Sequence, residues 1–325
     1  MRNDWKLLMI PTHPGVQYHF TRVGLPTYFL GHWDQFGYWR PQEPNVVNVL
    51  PAFEDAQLEW GPAEYAKLLD GTLEGQPQVG WPERYDLAWL MFNWQFKLFR
   101  DRPGKKLYRV AKVAELEPEE WDELLGRDDF TVVSFYPNTA LWLKQEKGVD
   151  VPYVPLGLDA EAYGGWTGHE KRVLSIIHSY RERGWHYRQY REAMEGLPAL
   201  HVDHLDDAQE KVSYAGIQEL LRSSRVYLHD GEQEYTITLI EALMTGMPIV
   251  SFRIPGIERY VIDGENGFVC DSASEVRDRC RMLLEDDALA ETMGRASRAL
   301  AVRDYGEARW RAQWIEIVDR YLSRP

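Results

Sequence analysis

The residues with the clearest potential for chemistry lie between Asp230 and Val269, where a helix with an apolar body carries one acid, Glu241. Thr236 and Thr238 stand at the start of that body, and either of them can cap the helix. A carboxylate inside such a helix is costly unless something hydrogen-bonds it. Glu241 therefore either pairs with a neighbouring amide or the helix start, or accepts a hydrogen bond from the hydroxyl of a ligand.

The start of the same helix is predicted to bind a phosphate group. The first N–H groups of a helix have no partner within it, and the helix dipole favours an anion beside them. The amides concerned belong to the segment from Tyr235 to Leu239, which contains the candidate substrate-binding residues Tyr235, Thr236, Ile237 and Thr238.

A second group of polar residues follows the strand predicted at 172–177. His178, Arg181 and Arg183 come after this strand, and Gly184 follows them before the next predicted helix. A guanidinium is a two-pronged donor that suits phosphate oxygens. The alternative is a solvated charged turn, but the position between a strand and a helix favours a phosphate loop.

Alternating strands and helices must position these residues. Short runs rich in aliphatic and aromatic residues predict strands, and the stretches between them predict helices. Such alternation is typical of parallel sheets covered by helices. The predicted strands are 6–11, 27–30, 46–50, 87–92, 107–110, 131–135, 172–177, 199–202, 226–229, 248–252 and 267–269, and the predicted helices are 63–69, 118–125, 139–147, 187–194, 218–223 and 238–245.

The tail after Ser274 is predicted to be helical throughout. Ser272 and Glu275 form a capping box, Asp287 is expected to cap a helix over 288–300, and a last helix covers 307–322. Prolines and glycines cluster at 151–166, between the two α/β series. We therefore expect two doubly wound domains facing each other across a cleft, with ligands beyond the carboxyl ends of the strands.

Composition excludes several classes of protein. The chain has 325 residues and a net charge of −14, which argues against a broad nucleic-acid-binding face. No apolar run approaches the roughly 20 residues that a membrane span needs. No secretory signal is visible, and the two cysteines, Cys270 and Cys280, are too few for a disulfide framework or a four-ligand zinc site. We expect a cytoplasmic protein with two packed thiols and no bound metal.

Several motifs in order resemble the retaining glycosyltransferases of the glycogen-synthase-like GT-B group, grouped as family 4. The resemblance extends over about residues 130–320 and is weak before them. The family's two-glutamate segment matches Gln233–Thr236, Glu241-Ala242 and Gly246–Val250 of this sequence. Its glycine-glycine loop matches Pro255–Glu258, and its aspartate-glycine turn matches Asp263–Gly267. Its link between the domains matches Val154–Asp159.

The resemblance implies a role for each matched position. Glu241 would bind the ribose of the donor nucleotide. Gln233 stands where the family has its first glutamate, the residue that contacts the donor sugar, and Glu234 is beside it, so either residue is a candidate for that contact. Arg183-Gly184 matches the family's lysine-glycine, so Arg183 would bind the diphosphate.

Two further positions depart from the family or are less well defined. His178 stands where the family has an arginine, so His178 or Arg181 would supply that charge. In the amino-terminal half, Gly15 follows a predicted strand and a tight turn, where the family lets backbone amides approach the donor, and Gly24 is a second candidate.

The fold class expected from the resemblance is α/β, a GT-B arrangement of two Rossmann-like parallel-sheet domains facing a central cleft. The expected divisions are an acceptor-side domain at 1–155, a nucleotide-sugar-binding domain at 156–305, and a carboxy-terminal helix at 306–325 that crosses back onto the first domain in the family.

The expected function is transfer of a sugar from a nucleotide-diphosphate sugar, such as a UDP- or GDP-sugar, to an acceptor hydroxyl of a glycan, a lipid or a small molecule. The resemblance implies retention at the anomeric carbon and no metal or other cofactor. One alternative is a sugar-nucleotide-binding protein without transfer activity. Another is transfer to modified DNA, which would need a local basic groove near Arg100, Arg102, Lys105 and Lys106.

Overall fold

The computed structural model describes residues 5–33, 41–50, 60–73, 85–177, 182, 184–203, 212–230 and 233–323. The chain divides into two units, which we call unit 1 (residues 1–156 and 310–325) and unit 2 (residues 157–309). Each unit contains one parallel sheet.

Unit 1 is built on a sheet with the strand order β3-β2-β1-β4-β5-β6. The strands are β1 (Leu7–Met9), β2 (Thr27–Phe29), β3 (Val46–Asn48), β4 (Leu87–Leu90), β5 (Lys105–Val110) and β6 (Phe130–Ser134). The helices are α1 (Pro14–Thr21), α2 (Pro62–Leu69), α3 (Asn93–Phe99), α4 (Pro118–Leu125) and α5 (Pro137–Glu146), with a short 3₁₀ turn at Val113–Glu115. Aromatic and aliphatic side chains of these strands and helices, among them Trp121, Tyr108 and Phe96, form a buried core.

Unit 2 has the strand order β11-β10-β9-β7-β8. Its strands are β7 (Glu170–Ile176), β8 (Ala199–Val202), β9 (Ser224–His229), β10 (Ile249–Phe252) and β11 (Gly267–Cys270). Its helices are α6 (Trp185–Ala193), α7 (Tyr214–Ser223), α8 (Ile237–Thr245), α9 (Ala273–Glu285) and α10 (Asp287–Tyr305), with a 3₁₀ turn at Ile257–Arg259. The final helix, α11 (Glu307–Leu322), belongs to unit 1 from Trp310 onward.

Helix α11 packs on unit 1 through aromatic side chains. The ring of Trp314 meets that of Phe20 edge to face, with centroids 4.8 Å apart. The indole N–H of Trp5 donates a 3.0 Å hydrogen bond to Asp319. These contacts tie the last helix to α1 and to the segment that leads into β1.

The strand order reverses at one place in each sheet. In unit 1 the reversal lies between β1 and β4, and in unit 2 it lies between β7 and β9. Loops that leave two neighbouring strands at such a point run to opposite faces of the sheet, which opens a crevice beyond the carboxyl ends. The residues after β7 and β9 are therefore the first place to look for a ligand site in unit 2.

Among the residues that the structure describes, the sequence predicted every strand and most helices. Ser272 caps α9 as predicted, accepting a hydrogen bond from the amide of Glu275. The predicted cap Asp287 was wrong by one residue, because Asp286 accepts from the amide of Leu289 and Asp287 already lies inside α10. Helices α1 and α3 were missed. No helix among the described residues is long and apolar enough to cross a membrane.

Candidate functional site

The side chain of Tyr227 in β9 is fully buried in unit 2. Burial raises the pKa of its hydroxyl, with Thr236 opposing the increase and the carboxylate of Glu241 adding to it. Tyr227 pairs with Leu174 of β7, so it lies on one of the two neighbouring strands between which the sheet order reverses.

Helix α8 begins at Ile237 and is the next helix after β9. Thr236 has extended backbone angles, and its hydroxyl accepts a 3.1 Å hydrogen bond from the amide of Leu239, so Thr236 is the cap rather than Thr238. Ile237 and Thr238 are half-buried in the first turn. The ring of Tyr235 is fully buried and packs 5.0 Å from that of Tyr260, so its main chain is what it offers to a ligand.

Glu241 lies in the second turn of α8 and is 2% exposed. Its Oε1 accepts a 2.6 Å hydrogen bond from the hydroxyl of Tyr163, which lies in the segment leading into β7. A second hydroxyl, that of Tyr214 in α7, is 2.7 Å from the Tyr163 oxygen. Because the Tyr163 proton goes to the carboxylate, Tyr214 donates to Tyr163. This chain stabilises a buried acid that would otherwise be costly.

Gln233 and Glu234, the two candidates for the sugar contact, are placed differently. Glu234 is nearly buried, and its Oε2 lies 2.8 Å from Nη1 of Arg259. The same oxygen would be 2.5 Å from a Cβ at Gly256, whose φ of +90° also requires glycine. Gln233 is half-buried, and its carbonyl accepts a 3.3 Å hydrogen bond from Nε2 of His229. Glu234 thus ties its loop to the turn at Gly256, whereas His229 holds the Gln233 main chain.

The sequence analysis missed two residues at the carboxyl end of β9. His229 is the last residue of β9 and is buried, and burial lowers the pKa of its imidazole to about 4. Asp230, also buried, lies 3.2 Å from Nδ1 of His186 in the first turn of α6. The available signal was an acid directly after an apolar strand. No signal in the sequence pointed to His186, because the predicted helix covered 187–194 and did not include it.

Three predicted site residues, His178, Arg181 and Arg183, lie outside the described residues. The segment that carries them connects β7 to α6. Gly184, just before α6, has a φ of +50°, a conformation that favours glycine. Helix α6 begins at Trp185, two residues before the start of the helix predicted at 187–194.

In unit 1, a buried glutamine organises the loop after β1. Oε1 of Gln17 accepts hydrogen bonds from the amides of Thr12 and His13, at 2.8 and 2.9 Å, and its Nε2 donates to the carbonyl of Ile10. Gly15 is the second residue of α1 and not part of a tight turn, so its amide is in the first turn of a helix. Its role toward the donor stays a prediction.

The loop after β4 repeats this device. Oε1 of Gln95, also buried, accepts from the amides of Met91 and Phe92 at 2.6 and 3.2 Å. Gly24, the second candidate glycine, lies in the turn after α1 with a φ of +86°, beside the side chain of Arg311.

Two remaining expectations concern metals and thiols. Within the part of the chain that the structure describes, no group of three or more His, Cys, Asp or Glu residues could hold a metal ion. Cys270 and Cys280 are buried free thiols, and burial raises the pKa of Cys270 to about 12. Such thiols are poor nucleophiles, so neither is a candidate for catalysis.

Comparison with known proteins adds a family match and sequence relatives for part of the chain. Residues 208–300 match the family described as glycosyl transferases group 1. A stretch of 97 residues is 31% identical to N-acetyl-alpha-D-glucosaminyl L-malate synthase of Bacillus anthracis, covering 28% of this chain and 26% of that protein. The D-inositol 3-phosphate glycosyltransferase of Arthrobacter sp. strain FB24 is also 31% identical over 97 residues, covering 28% of this chain and 23% of the relative. The chain thus spans about a quarter of the length of these curated relatives.

Solved structures match nearly the whole chain. Sucrose-phosphate synthase of Thermosynechococcus elongatus has a TM-score of 0.70 at 12% identity, covering 97% of this chain and 98% of that one. HepE of Anabaena, in complex with UDP-glucose, has a TM-score of 0.68 at 14% identity, covering 97% and 99%. At such identities the likeness establishes the fold. Both sheets of the chain, with six and five strands, fit that fold.

Proposed function

We propose that the protein is a glycosyltransferase that uses a nucleotide-diphosphate sugar, because residues 208–300 match the family of glycosyl transferases group 1 and the chain has the GT-B fold. The donor would bind in unit 2, beyond the carboxyl ends of β7 and β9. The sugar would pass to an acceptor hydroxyl with retention at the anomeric carbon and without a metal ion.

One observation carries this proposal: helix α8, which follows β9 at the reversal of the sheet order, carries both a start capped by Thr236 and the buried acid Glu241. A nucleoside diphosphate needs an acceptor for its ribose hydroxyls and donors for its phosphates. Glu241 is suited to the first task and the α8 amides to the second. The two lie on consecutive turns of one helix, a spacing that suits a ribose and the phosphates attached to it.

The remaining residues of the proposed site would stabilise the charge that develops when the sugar is transferred. Breaking the bond to the anomeric carbon produces an oxocarbenium-like sugar and adds negative charge to the diphosphate. Arg183, with Arg181 or His178, and the amides from Tyr235 to Leu239 would stabilise that charge. Removing one such preorganised donor typically costs about 3 kcal/mol, or about a hundredfold in rate. These groups would take the place of a metal ion.

The sugar contact is assigned to Gln233. Glu234 is nearly buried and paired with Arg259, whereas Gln233 is half-buried on the same loop. An amide can accept from one sugar hydroxyl and donate to another, so it can orient the ring as the family's acid would. The departing phosphate would assist removal of the acceptor proton on the same face, which leaves no need for a side-chain nucleophile.

The acceptor would be a hydroxyl of a glycan, a lipid or a small molecule. Transfer to modified DNA is disfavoured by the net charge of −14. The cations suggested for a basic groove also have partners: Arg102 pairs with Asp70, and Lys106 is buried against Asp129. We further propose a cytoplasmic location, where the two free thiols would stay reduced.

A panel of nucleotide sugars tests the proposal. Calorimetry with UDP-, GDP-, ADP- and dTDP-sugars should identify one nucleotide class that binds, and hydrolysis of that donor should follow with release of the nucleoside diphosphate. Retention would be read by NMR from the anomeric configuration of a transfer product. Binding without any turnover, on water or on acceptors, would favour an inactive sugar-nucleotide-binding protein, an alternative motivated by Gln233 and His178. Absence of binding to every member would refute the proposal.

A further inference from the structure

The pair formed by His186 and Asp230 occupies the place in unit 2 where the sheet order reverses. Asp230 directly follows β9, and His186 is in the first turn of α6, the helix that follows β7. Strands β7 and β9 are neighbours in the sheet, and their register pairs Leu174 with Tyr227. The pair therefore joins the first turn of α6 to the residue after β9, at the point where a parallel sheet of this order is expected to bind a ligand.

We propose that His186 binds the diphosphate of the donor nucleotide, through the ring nitrogen that faces away from Asp230. The inference rests on the proposed function, since it names a further donor-binding residue. It differs from the predictions for His178, Arg181 and Arg183 because it comes from the geometry of described side chains.

Asp230 fixes the orientation of the imidazole. Its carboxylate is 1% exposed and lies 3.2 Å from Nδ1 of His186, so Nδ1 carries a proton and donates it to the carboxylate. The hydrogen bond made by one ring nitrogen determines what the other can do. Trp185 adds a second restraint, since its ring meets the imidazole edge to face with centroids 5.0 Å apart. Nε2 is therefore the atom left to meet a ligand, and it donates to a phosphate oxygen when both ring nitrogens carry a proton.

The surroundings favour an anion at Nε2. The first amides of α6 point out of the same helix end, and the helix dipole favours negative charge there. The side chain of His186 keeps 20% of its surface exposed, so a ligand can reach it.

A purely structural role is the main rival to this inference. The pair also ties the start of α6 to the end of β9, so its loss could disturb the crevice as a whole. A structural defect would weaken binding of the nucleoside and of the diphosphate alike. A lost phosphate contact would weaken only ligands that carry phosphate, and this difference makes the two roles separable.

The experiment compares UDP and GDP with uridine and guanosine, by calorimetry for the nucleotides and NMR titration for the weaker nucleosides. In the full-length protein, His186→Ala should weaken binding of the preferred diphosphate by about tenfold or more and leave its nucleoside within about twofold. His186→Gln, which keeps an N–H donor, should recover part of the loss. The matched control is His169→Ala, since His169 is an exposed histidine of unit 2 bonded to Thr167.

Each result decides the matter. Equal weakening of nucleoside and diphosphate, or unchanged affinity for both, would overturn the role of His186. If His186→Ala fails to fold, the same comparison is made with His186→Gln against the unmodified protein: diphosphate binding weakened with nucleoside binding retained supports the inference, and any other pattern overturns it. If the unmodified protein binds neither UDP nor GDP nor any nucleotide of the panel, the proposed function itself has failed.

Discussion

Tyr163 donates a 2.6 Å hydrogen bond to the carboxylate of Glu241, although the two residues are 78 positions apart in the sequence. Both are buried, and Tyr214 extends the chain of hydroxyls toward α7. This relationship answers the need of a buried acid for a donor. It is also compatible with ligand binding, since a carboxylate has two oxygens and about four positions for accepted hydrogen bonds.

Glu241→Ala is therefore expected to raise the donor KM by about tenfold, with a smaller change in kcat, because a ribose contact is made equally in the ground and transition states. Initial rates of donor hydrolysis would measure this. Tyr163→Phe keeps the acid but removes its donor, and it should lower the free energy of unfolding in urea by about 2 kcal/mol. A loss of stability in Glu241→Ala with normal donor affinity would assign Glu241 to packing alone.

Gly256 provides a test of how Glu234 is held. An added Cβ would lie 2.5 Å from the Glu234 carboxylate, and the φ of +90° disfavours any other residue. Gly256→Ala is expected to lower the free energy of unfolding by about 3 kcal/mol, from backbone strain and overpacking together. Gly264→Ala is the matched control, since Gly264 has a φ of +76° and open space around it.

The control should lose only the strain contribution, about 1 kcal/mol. Urea denaturation of both variants would show the difference. Equal losses in the two variants would mean that the loop moves freely away from the new methyl group and that Glu234 is not held in place by this turn.

His229 gives the protein a specific dependence on acid. Burial lowers the pKa of its imidazole to about 4, below the ordinary value of 6.5, so the folded state favours the neutral ring. As the pH falls below 6.5, His229 is protonated in the unfolded chain but stays neutral in the folded protein. The free energy of unfolding therefore decreases until the pH reaches the pKa of His229 in the folded protein, about 4. Between about pH 7.5 and about pH 5.5 the loss from this residue is about 1 kcal/mol.

Unfolding in urea at both pH values would measure the effect, and His229→Gln should reduce the decrease by that amount. The variant would also weaken the hydrogen bond to Gln233, so the comparison concerns the slope with pH and not stability at one pH. An unchanged slope in His229→Gln would show that the ring is protonated as easily in the folded protein as in the unfolded chain.

Gln233→Glu should fold normally and retain donor hydrolysis, because position 233 is half-buried and accommodates the acid that the family has there. Glu234→Gln is expected to lower the free energy of unfolding by about 1 kcal/mol, a modest amount because the side chain of Arg259 is 45% exposed to solvent. Melting curves and hydrolysis rates would be measured for both. Loss of the fold in Gln233→Glu would mean that the match to the family's first glutamate is off by one residue.

The sequence was informative where local pattern decides structure and silent where a distant partner does. The strands were all predicted because buried parallel strands are short apolar runs. Helices α1 and α3 were missed because the turns before them depend on the side chains of Gln17 and Gln95. These side chains accept hydrogen bonds from backbone amides of the turns, and the composition of the segments does not show such bonds.

The same contrast holds at the site. Thr236 and Glu241 were identified because a capped apolar helix with one acid is visible in the sequence. The partner of Glu241 was not identified, because Tyr163 is 78 positions away in the sequence and no local pattern connects the two residues. His186 and Asp230 are 44 positions apart, and only the parallel arrangement of β7 and β9 brings their loops together. Pairings of this kind follow from topology and cannot be derived from spacing along the chain.

Arg183 is the residue whose removal should affect turnover most. It follows β7 in the segment before α6, where a guanidinium would meet the diphosphate as the sugar bond breaks. Arg183→Ala is expected to lower kcat by about a hundredfold, since a donor aimed at developing charge contributes about 3 kcal/mol. The melting temperature should not change, because nothing expected of Arg183 involves the core.

The matched control is Arg188→Ala, which removes an exposed arginine from α6 itself, on the other side of Gly184. It lowers the net charge by the same amount, so any general effect of charge on the approach of an anionic donor would appear in both variants. A hundredfold loss confined to Arg183→Ala therefore identifies a direct contact. Equal kinetics in the two variants would remove Arg183 from the site and leave the diphosphate to the helix amides and His186.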